Sequence, residues 1–352
     1  MRIIVLMAGM GTRMRPHTLT TPKPLIPVAG KPIVQRLMED IHKVCGQSIE
    51  EIAFIIGDFG AEAEQNLIKI AESLGAKGTI YHQHEALGTA HAIHCAKESL
   101  AGPVVVAFAD TLFKADFILD QSKDGIIWVQ QIEDPRQFGV VKVDANNIIT
   151  DFVEKPEEFV SDLAIIGIYY FKDGEYLKKE IDYIIDNNIT EKGEFQLTNV
   201  LENMKAKGTQ FAPGQVTEWL DCGNKDATVF TNQSILEYNK ADASLIASSA
   251  RIINSEIIHP CFIGEGVVIE NAKIGPHVSI GDSSNIYCAI ISNSILQKNV
   301  KIKFVKDRPG HDLRYALSGN RMKEMGWEPK PVQERIAEVV NWTLNNTRWL
   351  DI

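Results

Sequence analysis

The chain has 352 residues, 45% of them hydrophobic and 23% charged, with a formal net charge of −10. Such a composition gives a globular protein with room for two or three domains, and the acidic balance argues against nucleic acid or an anionic membrane as partner. Five cysteines without a Cys-x-x-Cys pair point to reduced thiols and a cytoplasmic protein rather than a disulfide framework, and the N-terminal apolar run is too short for a membrane span or a signal peptide.

That first run, Ile3–Ala8, reads as a buried strand. It leads into Gly9-Met-Gly-Thr-Arg13-Met-Arg15-Pro16 and then Pro22-Lys23-Pro24-Leu25. Glycines at a strand end let backbone N–H groups approach an anion, and Arg13, Arg15 and Lys23 add positive charge where a polyphosphate would sit. The plainer alternative is an ordinary turn with solvated basic residues. A dinucleotide fingerprint needs a third glycine where Met14 stands, and no Gly-Lys-Ser/Thr tripeptide of a Walker loop occurs. The segment from Ala8 through Gly9, Gly11 and Thr12 to Arg13 is therefore expected to be a triphosphate grip of another type.

Further strands are expected at Ile52–Ile56, Thr79–His82, Val104–Ala109, Ile126–Gln130, Val140–Val143, Ile148–Val153 and Ile165–Phe171, with helices over Pro32–Val44, Ala61–Leu74 and Thr89–Leu100. The alternation implies an α/β fold with a Rossmann-like, mostly parallel sheet and helices on both faces. Ligands of such sheets bind beyond the carboxyl ends of the strands, which puts the glycine loop and Asp110 on one rim. Asp110 and Asp221 each follow a short apolar run. Converging, they would suit Mg²⁺, which prefers hard oxygen ligands; singly, each is better read as a cap. Gln83 carries a donor and an acceptor suited to a nucleobase edge, and Gly88 would let the base lie against backbone. Glu154-Lys155 offers an acceptor for sugar hydroxyls beside a cation for a phosphate, or else a solvated loop.

Beyond residue 250, Ile263, Ile269, Ile274, Ile280 and Ile286 recur at intervals of six, five, six and six. This period suits a short parallel, left-handed β-helix better than a set of hairpins. Such domains often assemble, so a homo-oligomer is expected. From Phe304 the repeat stops, and Val332–Leu344 reads as an amphipathic helix in a small helical tail. The expected domains are residues 1–238, 239–303 and 304–352.

The ordered set Gly9-Met-Gly-Thr-Arg13, Pro22-Lys23-Pro24, Leu87-Gly-Thr-Ala-His91, Phe138-Gly139-Val140, Glu154-Lys-Pro156, Gly167-Ile-Tyr169 and Trp219-Leu-Asp221 resembles the sugar-1-phosphate nucleotidyltransferases, most nearly the glucose-1-phosphate thymidylyltransferase group, over roughly Met1 to Tyr238. The resemblance implies an Mg²⁺-dependent transfer from a nucleoside triphosphate, dTTP or UTP, to glucose 1-phosphate. Arg13 and Lys23 match phosphate contacts, with Asp110 beside them in catalysis, and Asp110 and Asp221 match metal ligands. Gln83, Gly88 and Thr89 match the nucleotide side; Gly139, Glu154, Lys155 and Ile165 match the sugar-phosphate side. Many members carry Asn at the position of Ile165, and an apolar residue there resembles the thymidylyltransferases more than the N-acetylglucosamine enzymes; thymidylyltransferases usually carry Asn at the position of Thr111, so the sugar stays open, with mannose or N-acetylglucosamine types as alternatives. A non-catalytic regulatory subunit is the other alternative, though such proteins usually lose the loop cations or the carboxylates. Asp307-Arg-Pro-Gly-His-Asp-Leu-Arg-Tyr315 with Gly326-Trp-Glu-Pro329 resembles the end of dTDP-glucose 4,6-dehydratase, where Arg308 and His311 would contact a nucleotide diphosphate.

Overall fold

The computed structural model describes residues 1–303 apart from Met10 and Gln137, together with Ile336 and Val340. The chain divides into two compact units, Met1–Phe304 and Val305–Ile352. In the second, Ile336 and Val340 are helical; Arg308, His311 and the remainder of the expected tail lie outside the described residues.

The N-terminal half alternates strand and helix: β1 (Arg2–Leu6), α1 (Ile33–Cys45), β2 (Glu51–Ile56), α2 (Ala61–Ser73), β3 (Lys77–His82), α3 (Thr89–Cys95) and β4 (Val104–Phe108). The four strands pair in parallel in the order β4-β1-β2-β3. β1, β2 and β4 are largely buried apolar runs, whereas β3 at the edge, Lys77-Gly-Thr-Ile-Tyr-His82, is only half-buried. Ile3 and Val5 join the core under α1 and α2, while Ile4 joins the core under α3. In α1, Ile33, Leu37, Met38, Ile41 and Val44 form one buried stripe, and the helix stops at Gly46 in the left-handed conformation. The helix expected to reach Leu100 stops at Cys95, because Ala96 departs from helical geometry before the 3₁₀ turn Lys97–Ser99.

The second half adds β5 (Thr111–Lys114), β6 (Gly125–Gln131), β7 (Gly139–Val143), β8 (Ile149–Glu154), β9 (Leu163–Phe171), α4 (Gly174–Asp186), α5 (Leu197–Ala206), β10 (Phe211–Gln215), β11 (Glu218–Asp221) and α6 (Lys225–Tyr238). β9 is antiparallel to β4, so the sheet reverses there; β6 pairs with β9 and in parallel with β10, and the β7–β8 hairpin adds the far edge. Outside this nine-stranded sheet, β5 and β11 form an antiparallel pair. Residues of α4 and α5 join the core under α3, and Ile235 and Leu236 of α6 join that under α1.

Residues 251–303 form three stacks of short parallel strands, the three sides of a β-helix. Arg251 pairs with Val268 and Val268 with Asn285, seventeen residues per coil; Val278 pairs with Ser294, one fewer. A coil of three six-residue sides would need one residue more, which explains the single five-residue interval between Ile269 and Ile274. Ile263, Ile269, Ile274, Ile280 and Ile286 are all fully buried. Asn254, Asn271 and Cys288 repeat a positive φ at one corner, a conformation that Asn tolerates better than most residues. The coil is tied to the sheet by Asn232 of α6, whose Oδ1 accepts from Ala29 N at 2.9 Å and from Ser279 Oγ at 2.7 Å. The five cysteines are all free thiols. Among the described residues, no helix is long and apolar enough to cross a membrane.

Candidate active site

The loop after β1 bends through two 3₁₀ turns, Thr12–Met14 and Lys23–Leu25. Gly11 has φ +57°, and a Cβ there would lie 3.0 Å from Lys23 Cβ, so glycine is needed for the two turns to close on each other. Thr18 Oγ1 donates to Gly11 O at 2.8 Å and buried Met14 anchors the segment below. Lys23, flanked by Pro22 and Pro24, is thereby held with only 8% of its surface exposed, and its Nζ reaches Asp110 Oδ2 at 2.8 Å. A cation so removed from water needs a carboxylate or a phosphate beside it.

These groups open onto a cleft of about 400 Å³ at the carboxyl ends of β1 and β4. One wall is the loop, with Ala8, Gly9, Gly11, Thr12 and Arg13; Lys23 and Asp110 lie at its base, and Gln83, Gly88 and Thr89 line it as well. Arg15, by contrast, is exposed and does not line the cleft. Glu194, not anticipated from the sequence, does line it. Its place follows from Gly88: φ is +110° there, and a Cβ would meet Phe195 O at 2.4 Å, so the glycine serves contact with the Glu191–Phe195 segment. Phe195 N donates to Leu87 O and Ala90 N to Phe195 O, at 2.8 and 2.9 Å. The Thr89 hydroxyl is committed to the same seam, donating to Gln196 Oε1 and accepting from Leu197 N. Gln83 donates from Nε2 to Gly88 O at 3.2 Å, and the same nitrogen lies 3.2 Å from His91 Nδ1.

Asp221 ends β11 and pairs in register with Thr111, next to Asp110; Cys222 N donates to Asp110 O at 2.9 Å. The β5–β11 pair thus brings together two carboxylates distant in sequence. Burial raises the Asp221 pKa, and the charge of Asp110 raises it further; the hydrogen bond from Gly223 N, and then Lys23 and Arg13, oppose this. Asp221 Oδ1 accepts from Gly223 N at 2.8 Å, so the capping role also holds. Among the described residues no group of three or more His, Cys, Asp or Glu is arranged to hold a metal. Two partly buried carboxylates that repel each other fit a hard divalent ion whose remaining ligands are waters or phosphate oxygens.

The remaining sequence-derived residues sit apart from this lining. Gly139 of β7 faces Glu154 of β8 in the hairpin register, and Lys155 N donates to Phe138 O at 3.2 Å. Ile165 is buried in the apolar layer with Val129 and Tyr169. Phe138 joins the hairpin to β11 by an edge contact with Trp219, ring centroids 4.7 Å apart. A larger cleft of about 840 Å³ at the ends of β6 and β10 carries Glu133 and Asp162 and no cation among its lining residues, which makes it unsuited to a polyphosphate.

Residues 2–238 match the family model described as nucleotidyl transferase. The chain is 31% identical over 320 residues to the low-salt glycan biosynthesis nucleotidyltransferase Agl11 of Haloferax volcanii, covering 84% of this chain and 87% of that protein. It is 28% identical over 319 residues to a glucose-1-phosphate thymidylyltransferase of Streptomyces antibioticus, with the same coverage. A crystal structure of a Bacillus anthracis protein assigned as a glucose-1-phosphate thymidylyltransferase superposes with a TM-score of 0.54 at 25% identity, over 66% of this chain and 93% of that one. With the family match running through loop, cleft and both aspartates, this chain belongs to the nucleotidyl transferase family.

Proposed function

We propose that the protein transfers a nucleoside monophosphate from a nucleoside triphosphate, dTTP or UTP, to a sugar 1-phosphate, with glucose 1-phosphate as the preferred acceptor, releasing pyrophosphate. One observation carries the reading: a desolvated lysine, a flanking arginine and two mutually repelling carboxylates converge beside a glycine-bearing loop at the carboxyl ends of parallel strands. The nearest competitor, a regulatory subunit without activity, has no use for a buried Lys23 paired with a cleft-facing Asp110.

In this reading, the acceptor's phosphate oxygen attacks the α-phosphorus in line as the bond to the β-phosphate oxygen breaks, and the electron pair leaves with pyrophosphate. A sugar phosphate is already an anion at neutral pH, so no protein base or nucleophile is required. Catalysis rests on holding the two substrates in line and on neutralising charge. Arg13 and Lys23 stabilise the charge that builds on the departing pyrophosphate. Asp110 and Asp221 would hold Mg²⁺, which when bound supplies Lewis-acid neutralisation of phosphate charge. Gln83 reads the base. Glu154, Lys155 and Gly139, on the hairpin braced against Trp219, receive the sugar and its phosphate.

A matrix of nucleoside triphosphates against sugar 1-phosphates, read by pyrophosphate release, tests this. Turnover concentrated on dTTP or UTP with glucose 1-phosphate is expected. Absence of turnover across the matrix would favour the regulatory reading.

A further inference from the structure

We propose that His91 fixes the orientation of the Gln83 amide and thereby makes the cleft select a nucleobase edge that donates an N–H, as thymine and uracil do, over one that accepts there, as cytosine does. The inference rests on the reading that the cleft takes a nucleoside triphosphate with its base at Gln83.

A primary amide has two hydrogens on nitrogen and two lone pairs on oxygen, and which end faces a ligand decides what the ligand must offer. Gln83 Nε2 lies 3.2 Å from Gly88 O and 3.2 Å from His91 Nδ1. The Gly88 carbonyl can only accept, and it is held in place by Ala92 N at 3.0 Å in the first turn of α3. Both hydrogens of the amide are then directed into the protein. The carbonyl Oε1 is the end that remains for a ligand, and it can only accept. Thymine and uracil present N3–H to such a group; cytosine presents a lone pair at N3 and is rejected.

This arrangement depends on His91 being neutral with its proton on Nε2, because Nδ1 must supply a lone pair. Burial lowers the His91 pKa, and the neighbouring His94 lowers it further, while Glu85 acts in the opposite direction. His94 lies on the same helix and faces Asp182 of α4 at 3.1 Å. An imidazolium at His91 would set one donor against another. The amide would have to turn over, lose the Gly88 bond and show its NH₂ to the base. His91 stands in the Leu87–His91 motif, but it does not line the cleft; it acts through Gln83 as a positioning residue.

The test compares KM and kcat for dTTP and dCTP in the wild type, His91→Asn and His91→Phe, each across pH 5.5–8. Asn places an amide oxygen near the position of Nδ1 and does not titrate; Phe keeps the bulk and offers no acceptor. His91→Phe is expected to raise the dTTP KM by about tenfold with kcat little changed, the size of one lost hydrogen bond, and to narrow the preference for dTTP over dCTP by a similar factor. His91→Asn is expected to restore both. The wild-type dTTP KM should climb only at the acid end of this range, on the acid side of the ordinary histidine value because the His91 pKa is lowered, while that of His91→Asn stays level relative to it. An unchanged dTTP-to-dCTP ratio in His91→Phe, coincident pH profiles for wild type and His91→Asn, or a wild type that prefers dCTP would each overturn the inference. A wild type that turns over no triphosphate at all would overturn the functional reading beneath it.

Discussion

The rim of the sheet and the coil of residues 251–303 both bury isoleucine and valine in layer after layer, yet they use that burial differently. In the coil each turn repeats the one before: an inward isoleucine, a parallel partner, a corner residue with positive φ. Every residue there has its counterpart about seventeen positions away, and stability is close to a sum over coils. At the rim nothing repeats. Lys23, Asp110 and Asp221 meet because three separate connections end at one place, and the apolar layers beneath hold charged groups where water alone would not keep them. Regular burial yields a scaffold; irregular burial yields a site whose charges are poised for a substrate.

The contrast is broken most sharply by removing rim charges. Asp110→Asn, Lys23→Ala and Arg13→Ala should each lower kcat by on the order of 10²–10³ with the circular dichroism of a folded protein retained, and Asp110→Asn, which leaves the desolvated Lys23 without its carboxylate, should also melt below wild type; near-normal turnover in all three would end the assignment of roles. The converse change is Ile280→Ala, in a fully buried layer of the coil. It should destabilise by about 2–5 kcal/mol in chemical denaturation, with turnover per folded molecule preserved. If it removes activity at full folding, coil and site are coupled more tightly than the comparison allows.

Gly88→Ala tests the seam between the two halves of the cleft. Its Cβ meets Phe195 O at 2.4 Å and its φ is positive, so strain of about 1–3 kcal/mol should appear as a lower melting temperature and a higher KM for the triphosphate. The smallest effect runs the other way. The Asp221 pKa is raised in the folded state, so its contribution to stability is present at acid pH and is lost as pH rises through that raised value. Asp221→Asn should therefore melt slightly higher than wild type at neutral pH, with the gap closing as pH falls towards the ordinary aspartate value, while its turnover drops. A lower melting temperature at pH 7.5 would contradict the electrostatic account.

The parallel strands and the coil were legible in the sequence because their signals are local: apolar runs of strand length, and a period near six. Strand β10 was not legible, since Pro213 and Gly214 sit inside it, and both residue types are depleted in strands. The β5–β11 pair was missed although Asp110 and Asp221 were singled out. Their convergence depends on a pairing across more than a hundred residues, which no local pattern reports. Gly88 draws attention in the sequence as a place for a base, while its φ of +110° and its close approach to Phe195 are reached only through the fold. Glu194 and the bond between His91 and Gln83 were invisible for the same reason. Arg15 looked like Arg13 in sequence, and only the turn at Thr12–Met14 sends one to the cleft and the other away from it.

In the proposed reaction the nucleotide passes directly between two bound substrates with no covalent nucleotidyl-enzyme, and isotope exchange between labelled pyrophosphate and the nucleoside triphosphate distinguishes this from a two-step transfer. No exchange is expected without a sugar 1-phosphate, and pyrophosphate should form one for one with the nucleotide sugar when both substrates are present. Exchange with the triphosphate alone would show a nucleotide carried on the protein and contradict the account.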